Sequence, residues 1–199
     1  AGTLTGSFFN KGDTVTCYVT PTDGIDSGAM VTSNPVSISN SPPTANTPSL
    51  SPSTAYEASQ FLCTWTGGVD IDPGDTVSYT FGWKVDGQII AQIGSNLDGT
   101  FFDKGNAVRC FATPTDGFDA GLPVDSNSVI VSNTPPSFTN VSVYPSNPDT
   151  TETLTSTASG WSDDDGDSAS YLYQWYSQNG AISGATNASL SASDRVSKA

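Results

Sequence analysis

Apolar and polar residues alternate along this chain in short runs, each bounded by Gly, Pro or clusters of Asp, Asn and Ser. That is the period of extended strands with one buried face. In the run from Phe61 to Thr66, Phe61, Cys63 and Trp65 share one side and Leu62, Thr64 and Thr66 the other. From Val77 to Val85, the residues Val77, Tyr79, Phe81, Trp83 and Val85 face one way, against Ser78, Thr80, Gly82 and Lys84. Val108, Cys110 and Ala112 form a third such face, and Val15, Cys17 and Val19 a fourth. No stretch carries a sustained 3.6-residue apolar period with caps, so strands are expected throughout and helices are not.

The same wording occurs twice. "GSFFNKGDTVTCYVTPTDGIDSG" begins at Gly6 and "GTFFDKGNAVRCFATPTDGFDAG" begins at Gly99, 93 positions later. Cys17 and Cys110, Asp23 and Asp116, Asn34 and Asn127, and Pro42 and Pro135 all keep that offset. The other half of the unit recurs less strictly: "LSPS", ending at Ser53, returns as "VYPS", ending at Ser146. Trp83 and Trp175 stand 92 apart, one residue having been gained or lost in the turn before them. A fixed period of this length marks a repeat architecture. Its phase divides the chain into the late part of one unit (1–43), a complete unit (44–136) and the early part of a third (137–199). Paired prolines at Pro42-Pro43 and Pro135-Pro136 make short, stiff connections between units.

About seven short strands per unit, separated by turn signals, predict an all-β fold of tandem β-sandwich repeats. An inward Cys63, an inward Trp83 twenty residues on and an inward Cys110 beyond resemble the immunoglobulin fold. There the second, third and sixth strands carry these residues. "DDDGD" at 163–167, "YLYQW" at 171–175 and "TPTDG" at 20–24 and 113–117 also resemble tandem immunoglobulin-like and cadherin-like repeats of large bacterial surface proteins. The position two residues before the second cysteine holds Val108 rather than the tyrosine of antibody-type domains. The resemblance implies a Cys63–Cys110 disulfide between the two sheets with Trp83 packed on it. Such a bond belongs to an oxidising, extracellular compartment. Cys17 occupies the place of Cys110, so its partner is expected before Ala1. Ser156 occupies the place of Cys63, so the third unit is expected to lack the bond.

Charge narrows the partners. Six basic and twenty acidic residues, with no His, leave a net charge of −14, which repels phosphate backbones and excludes nucleic-acid binding. No apolar stretch approaches the 18 or so residues of a membrane span. Ala1 opens directly in polar, strand-like sequence, so any export signal is expected outside this segment, and the chain reads as a window on something longer.

The acids cluster where the strands turn. Asp70, Asp72 and Asp75 lie between the second and third strands of the middle unit, and Asp163, Asp164, Asp165 and Asp167 take that place in the next. Asp116 and Asp119, like Asp23 and Asp26, lie in the hairpin before the last strand. In an immunoglobulin-like sandwich both loops emerge at one end, beside the incoming linker. Converging carboxylates there suit Ca²⁺, which takes six to eight oxygens. The plainer reading is that Asp and Gly make good turns. With no His, nucleophile elbow or phosphate loop, catalysis is not expected.

A structural or adhesive segment is therefore expected: a rigid spacer in a secreted or surface-anchored fibre or stalk. Its partners would be neighbouring repeats or head-to-tail copies. The alternative is a module binding glycan or protein through outward aromatics such as Tyr18, Phe111 and Tyr176. The incomplete outer units are expected to be completed covalently, and strand addition between copies is the other arrangement.

Overall fold

A computed structural model of the chain describes residues 2–196. The protein is predominantly β and consists of antiparallel sheets, divided into two compact units, Ala1–Val131 and Ser132–Ala199. No helix among the described residues is long and apolar enough to cross a membrane.

The first unit opens with four two-residue strands, β1 (Thr14–Val15), β2 (Tyr18–Val19), β3 (Val31–Thr32) and β4 (Val36–Ser37). Its larger part contains β5 (Thr44–Ala45), β6 (Ser49–Ser51), β7 (Phe61–Thr64), β8 (Gly68–Val69), β9 (Ser78–Val85), β10 (Gln88–Ile93), β11 (Asn96–Leu97), β12 (Ala107–Thr115), β13 (Val124–Asp125) and β14 (Val129–Ile130). One sheet runs β10-β9-β12-β13 with β14 also on β12, and another runs β11-β7-β6. The alternation read from the sequence holds on β7, where Phe61 and Cys63 are buried and Leu62 and Thr64 exposed. On β12, Val108, Cys110 and Ala112 are fully buried.

Both sheets contribute to one core. Leu50, Phe61, Cys63 and Leu97 enter it from the three-stranded sheet, and Trp83, Val108, Cys110 and Val129 from the other. Cys63 and Cys110 are joined, their Cα atoms 6.1 Å apart, and the bond closes a 47-residue separation. Trp83 pairs with Cys110 across β9 and β12, and cross-strand partners project to the same face. Its indole Nε1 donates to the Gly94 carbonyl at 2.9 Å, so burial leaves no unpaired donor. Tyr79 departs from the expected pattern: near the start of β9 it is 42% exposed and stacks beside Trp65 and Phe81.

The amino-terminal strands carry the pairings of β12–β14 at a constant offset. Val15 pairs with Val36 as Val108 pairs with Val129, and Val19 with Val31 as Ala112 with Val124. Hydrogen bonds follow suit. Ser33 N–H donates to Cys17 O at 2.8 Å and Ser126 N–H to Cys110 O at 2.9 Å; Gly12 and Gly105 each donate to the carbonyl of Ile38 and Val131 at 2.8 Å. Burial does not follow. Cys17 is an exposed free thiol, and Val19 and Val31 are 60% and 66% exposed, because no opposing layer covers this hairpin face among the described residues.

The second unit contains β15 (Asn140–Tyr144), β16 (Leu154–Ser159), β17 (Tyr176–Ser177), β18 (Gly180–Ala181), β19 (Ser189–Leu190) and a short helix, α1 (Ala192–Val196). Its sheet β15-β16-β19 keeps the register of β6-β7-β11: Val143 pairs with Ser156 as Leu50 does with Cys63, and Leu154 with Leu190 as Phe61 does with Leu97. Trp175 Nε1 donates to Asn187 O at 2.9 Å, the counterpart of the Trp83–Gly94 bond. Ser156 stands at the Cys63 position, as expected.

Candidate functional site

Among the described residues, two acidic clusters bring potential metal-ligand oxygens together. In the first unit, carboxylate oxygens of Asp70, Asp75 and Asp116 lie within 4.8 Å of one another, although Asp116 is more than 40 residues from the other two in sequence. β9 and β12 bring them together. These paired strands end at Ser78 and Thr115, which delivers the 70–75 turn and the 116–119 hairpin to the same edge.

Local turn chemistry shapes each loop. Asp70 Oδ1 accepts Asp72 N–H at 2.7 Å, and Asp116 Oδ1 accepts Phe118 N–H at 2.7 Å and Asp119 N–H at 2.8 Å. Short acidic side chains capping their own backbone in this way form tight turns. Gly121, just past the hairpin, is held by close approach: a Cβ there would sit 1.9 Å from the Pro43 carbonyl oxygen of the linker.

Oxygens of Asp72, Asp75, Asp116 and Asp119 meet the preceding segment. Ser41 N–H donates to Asp72 Oδ2 at 2.7 Å. The Asn40 amide donates to Asp116 Oδ2 at 2.8 Å and to Asp119 Oδ2 at 2.9 Å. Lys11 Nζ pairs with Asp75, donates to Asn40 Oδ1 at 3.2 Å and lies 4.1 Å from the centre of the Phe118 ring. Thus Asp72 and Asp119 serve the linker, and Lys11 supplies a positive charge beside Asp75. Sequence reasoning had placed carboxylates here but not Lys11, Asn40 or Ser41. The available signal was their recurrence as Lys104, Asn133 and Thr134, 93 residues on.

The electrostatics follow these contacts. The Lys11 ammonium is held above its ordinary pKa chiefly by its hydrogen bond to Asp75. Asp116 is held down at about 2, first by the Asn40 amide and then by the backbone N–H groups of Asp119 and Phe118. A folded-state pKa below the unfolded one gives stabilisation that is complete above the unfolded value of 3.8 and lost as pH falls through about 2. The Asn40–Asp116 contact is therefore expected to survive mild acid. Asn40→Ala should move the Asp116 titration upward, and a carboxyl-carbon NMR titration reads that shift directly. An unchanged Asp116 curve in N40A would contradict the assignment.

In the second unit Asp163, Asp165 and Asp167 bring carboxylate oxygens within 4.8 Å of one another. Asp163 Oδ1 accepts Asp165 N–H at 3.0 Å and Asp167 N–H at 3.2 Å, and Thr134 N–H donates to Asp165 Oδ2 at 2.5 Å, as Ser41 does to Asp72. Asp164 is exposed and outside this group.

These acidic groups can hold a metal ion, and one detail supports the fit. Asp70 Oδ2, Asp163 Oδ2 and Asp165 Oδ1 are buried without a hydrogen-bond partner. A buried carboxylate oxygen left unpaired is costly, and a hard cation is the ligand that satisfies it.

The outward aromatics divide. Tyr18 and Tyr176 are 59% and 70% exposed. The half-buried Phe111 ring is pressed onto its own sheet, where a Cβ at Gly82 would meet its Cζ at 2.3 Å, and Lys84 Nζ lies 5.3 Å from the ring centre. No protein-family model matches this chain, and no curated protein matches it.

Proposed function

We propose that this chain is a structural and adhesive segment of a secreted or surface-anchored fibre or stalk. In this reading, immunoglobulin-like sandwich units of about 93 residues act as a rigid spacer, divided at 1–43, 44–136 and 137–199. The observation that carries it is the grip of the linker side on the acidic loops: Lys11 on Asp75, Asn40 on Asp116 and Asp119, and Ser41 on Asp72. A freely hinged connection makes no such contacts. A spacer that transmits position requires them, since junctions with few contacts move by default. The register shared at a 93-residue offset by β1–β4 and β12–β14 supports a repeated unit. The Cys63–Cys110 bond supports an oxidising, extracellular setting.

Protease shaving of intact source cells tests this reading. Peptides of the chain should be released from the surface or found in the medium, and recovery only from the cytosol would overturn it.

Calcium is the cation we assign to the acidic clusters, on the strength of the buried oxygens left unpaired on Asp70, Asp163 and Asp165. A ligand that binds only the folded state raises its stability. Added Ca²⁺ should therefore raise the thermal midpoint, and a chelator should reverse the gain. An unchanged melt with no heat of binding would leave Lys11 as the counter-charge of the first cluster and remove calcium from the account.

A further inference from the structure

The first unit carries an open groove of ≈ 670 Å³ along β9, β10 and β12, within the usual size of ligand clefts, about 300–1,000 Å³. The rings of Tyr79, Phe81 and Phe111 and the side chains of Ile89 and Ile93 supply its apolar wall, and Thr80 and Gln92 add polar groups. Ile89 and Ile93 are 71% and 82% exposed, and Tyr79 42%. The rings are held in place before any ligand arrives. Ring centres lie 4.2 Å apart for Trp65 and Tyr79, and 5.0 Å apart for Tyr79 and Phe81. Phe111 rests in the space that a side chain at Gly82 would fill. Beside it stands Lys84, fixed by both Asp125 oxygens at 2.6 and 2.9 Å. The fold does not require this groove. In the second unit, Gln174 and Ala181 stand in the places of Gly82 and Ile89, although β17 and β18 keep the pairing of β9 and β10.

The chemistry of the wall selects the occupant. β10 is an edge strand, and an added strand would need a regular row of main-chain groups along it. The register of β10 breaks between Ile90 and Ile93, and Gly94 N–H turns back to the Phe81 carbonyl at 3.3 Å. A bulge of this kind blunts an edge against pairing. Charge acts against other occupants. At a net charge of −14, two copies of the chain repel each other, as do the chain and a polyanion. The groove wall itself contains no charged residue among the described residues. An uncharged ligand with both apolar faces and hydroxyl groups matches this surface. We propose that the groove binds a neutral oligosaccharide. Pyranose rings present C–H faces that suit the negative faces of Tyr79 and Phe111, and their hydroxyls meet Thr80 and Gln92. Ile89 and Ile93 are the exposed apolar rim that the sugar chain covers.

This inference rests on the adhesive part of the reading above and gives it a ligand class. Titration calorimetry of the full chain with cellohexaose, maltohexaose and mannohexaose tests it. At least one of these neutral hexaoses should give saturable heat. Hexagalacturonate, of the same length but with a carboxylate on every ring, should bind at least tenfold more weakly. Ile93→Asp and Ile89→Asp place a charge on the rim at side chains that the fold leaves in solvent. Each should melt close to the unaltered chain and bind at least tenfold more weakly. Tyr176→Ala removes an exposed aromatic of the second unit and should leave the affinity unchanged. NMR shifts on adding the sugar should centre on Tyr79, Phe81 and Phe111. Saturable heat from none of the three hexaoses, equal affinity for hexagalacturonate, or rim variants that melt normally and bind as before would each overturn the proposal. Such a failure leaves surface release of the chain intact, so it is distinguishable from failure of the spacer reading.

Discussion

Replacing Trp83 with alanine is expected to lower the stability of the Ala1–Val131 unit by about 3–5 kcal/mol, the range for removing a large buried aromatic. Trp83 is wholly buried and shares its core with Phe61, Cys63 and Cys110, so the deletion opens a cavity between two sheets. It also strips the Gly94 carbonyl of its indole donor. The thermal midpoint should fall by more than about 10 °C, followed by circular dichroism so that loss of the fluorophore does not matter. Tyr176→Ala, at a residue 70% exposed, should change stability by less than about 0.5 kcal/mol. If W83A melted within a few degrees of the unaltered chain, the two sheets would not depend on a common core.

The second large effect is expected from the cysteines. The Cys63–Cys110 bond spans 47 residues, and in the chain-entropy account a loop of that size stabilises by about 4 kcal/mol through restriction of the unfolded state. The double variant C63A/C110A should lose most of this, and reductant should reproduce the loss in the unaltered protein. An internal control is available: Ser156 occupies the corresponding place in β16, so the melting of the Ser132–Ala199 unit should not respond to reductant. Equal destabilisation of both units, or none in either, would contradict this account. Non-reducing mass mapping verifies the linkage itself.

Strand identity was legible because a side-chain period of two is a local property. Phe61 and Cys63 on β7, and Val108, Cys110 and Ala112 on β12, point inward as the alternation requires. The inward cysteine pair was likewise readable, since Cys63, Trp83 and Cys110 all lie on apolar faces of strong strand sequences. The same rule failed for Cys17 and Val19, which are exposed. Alternation assigns a face to a side chain, but burial needs a second layer, and that layer is absent around β1–β4 among the described residues.

The acidic site divides along similar lines. Turn composition revealed Asp70, Asp72, Asp75, Asp116 and Asp119 as loop carboxylates, because Asp caps its own backbone over two or three residues. Local sequence contains nothing about what those carboxylates meet. Lys11 is 64 residues from Asp75 and Asn40 is 76 from Asp116, and which distant groups converge depends on where the β9–β12 pairing ends and how the linker turns past Pro43. From the amino acids alone came the strand periods, the 93-residue offset, the inward cysteines and the sign of the charge, all short-range or compositional properties. Folding in three dimensions selected which carboxylates share a site, placed Lys11 and Asn40 within it, and left Asp70 Oδ2 buried without a donor. Those are long-range outcomes, decided by packing and by desolvation rather than by any residue's own preference.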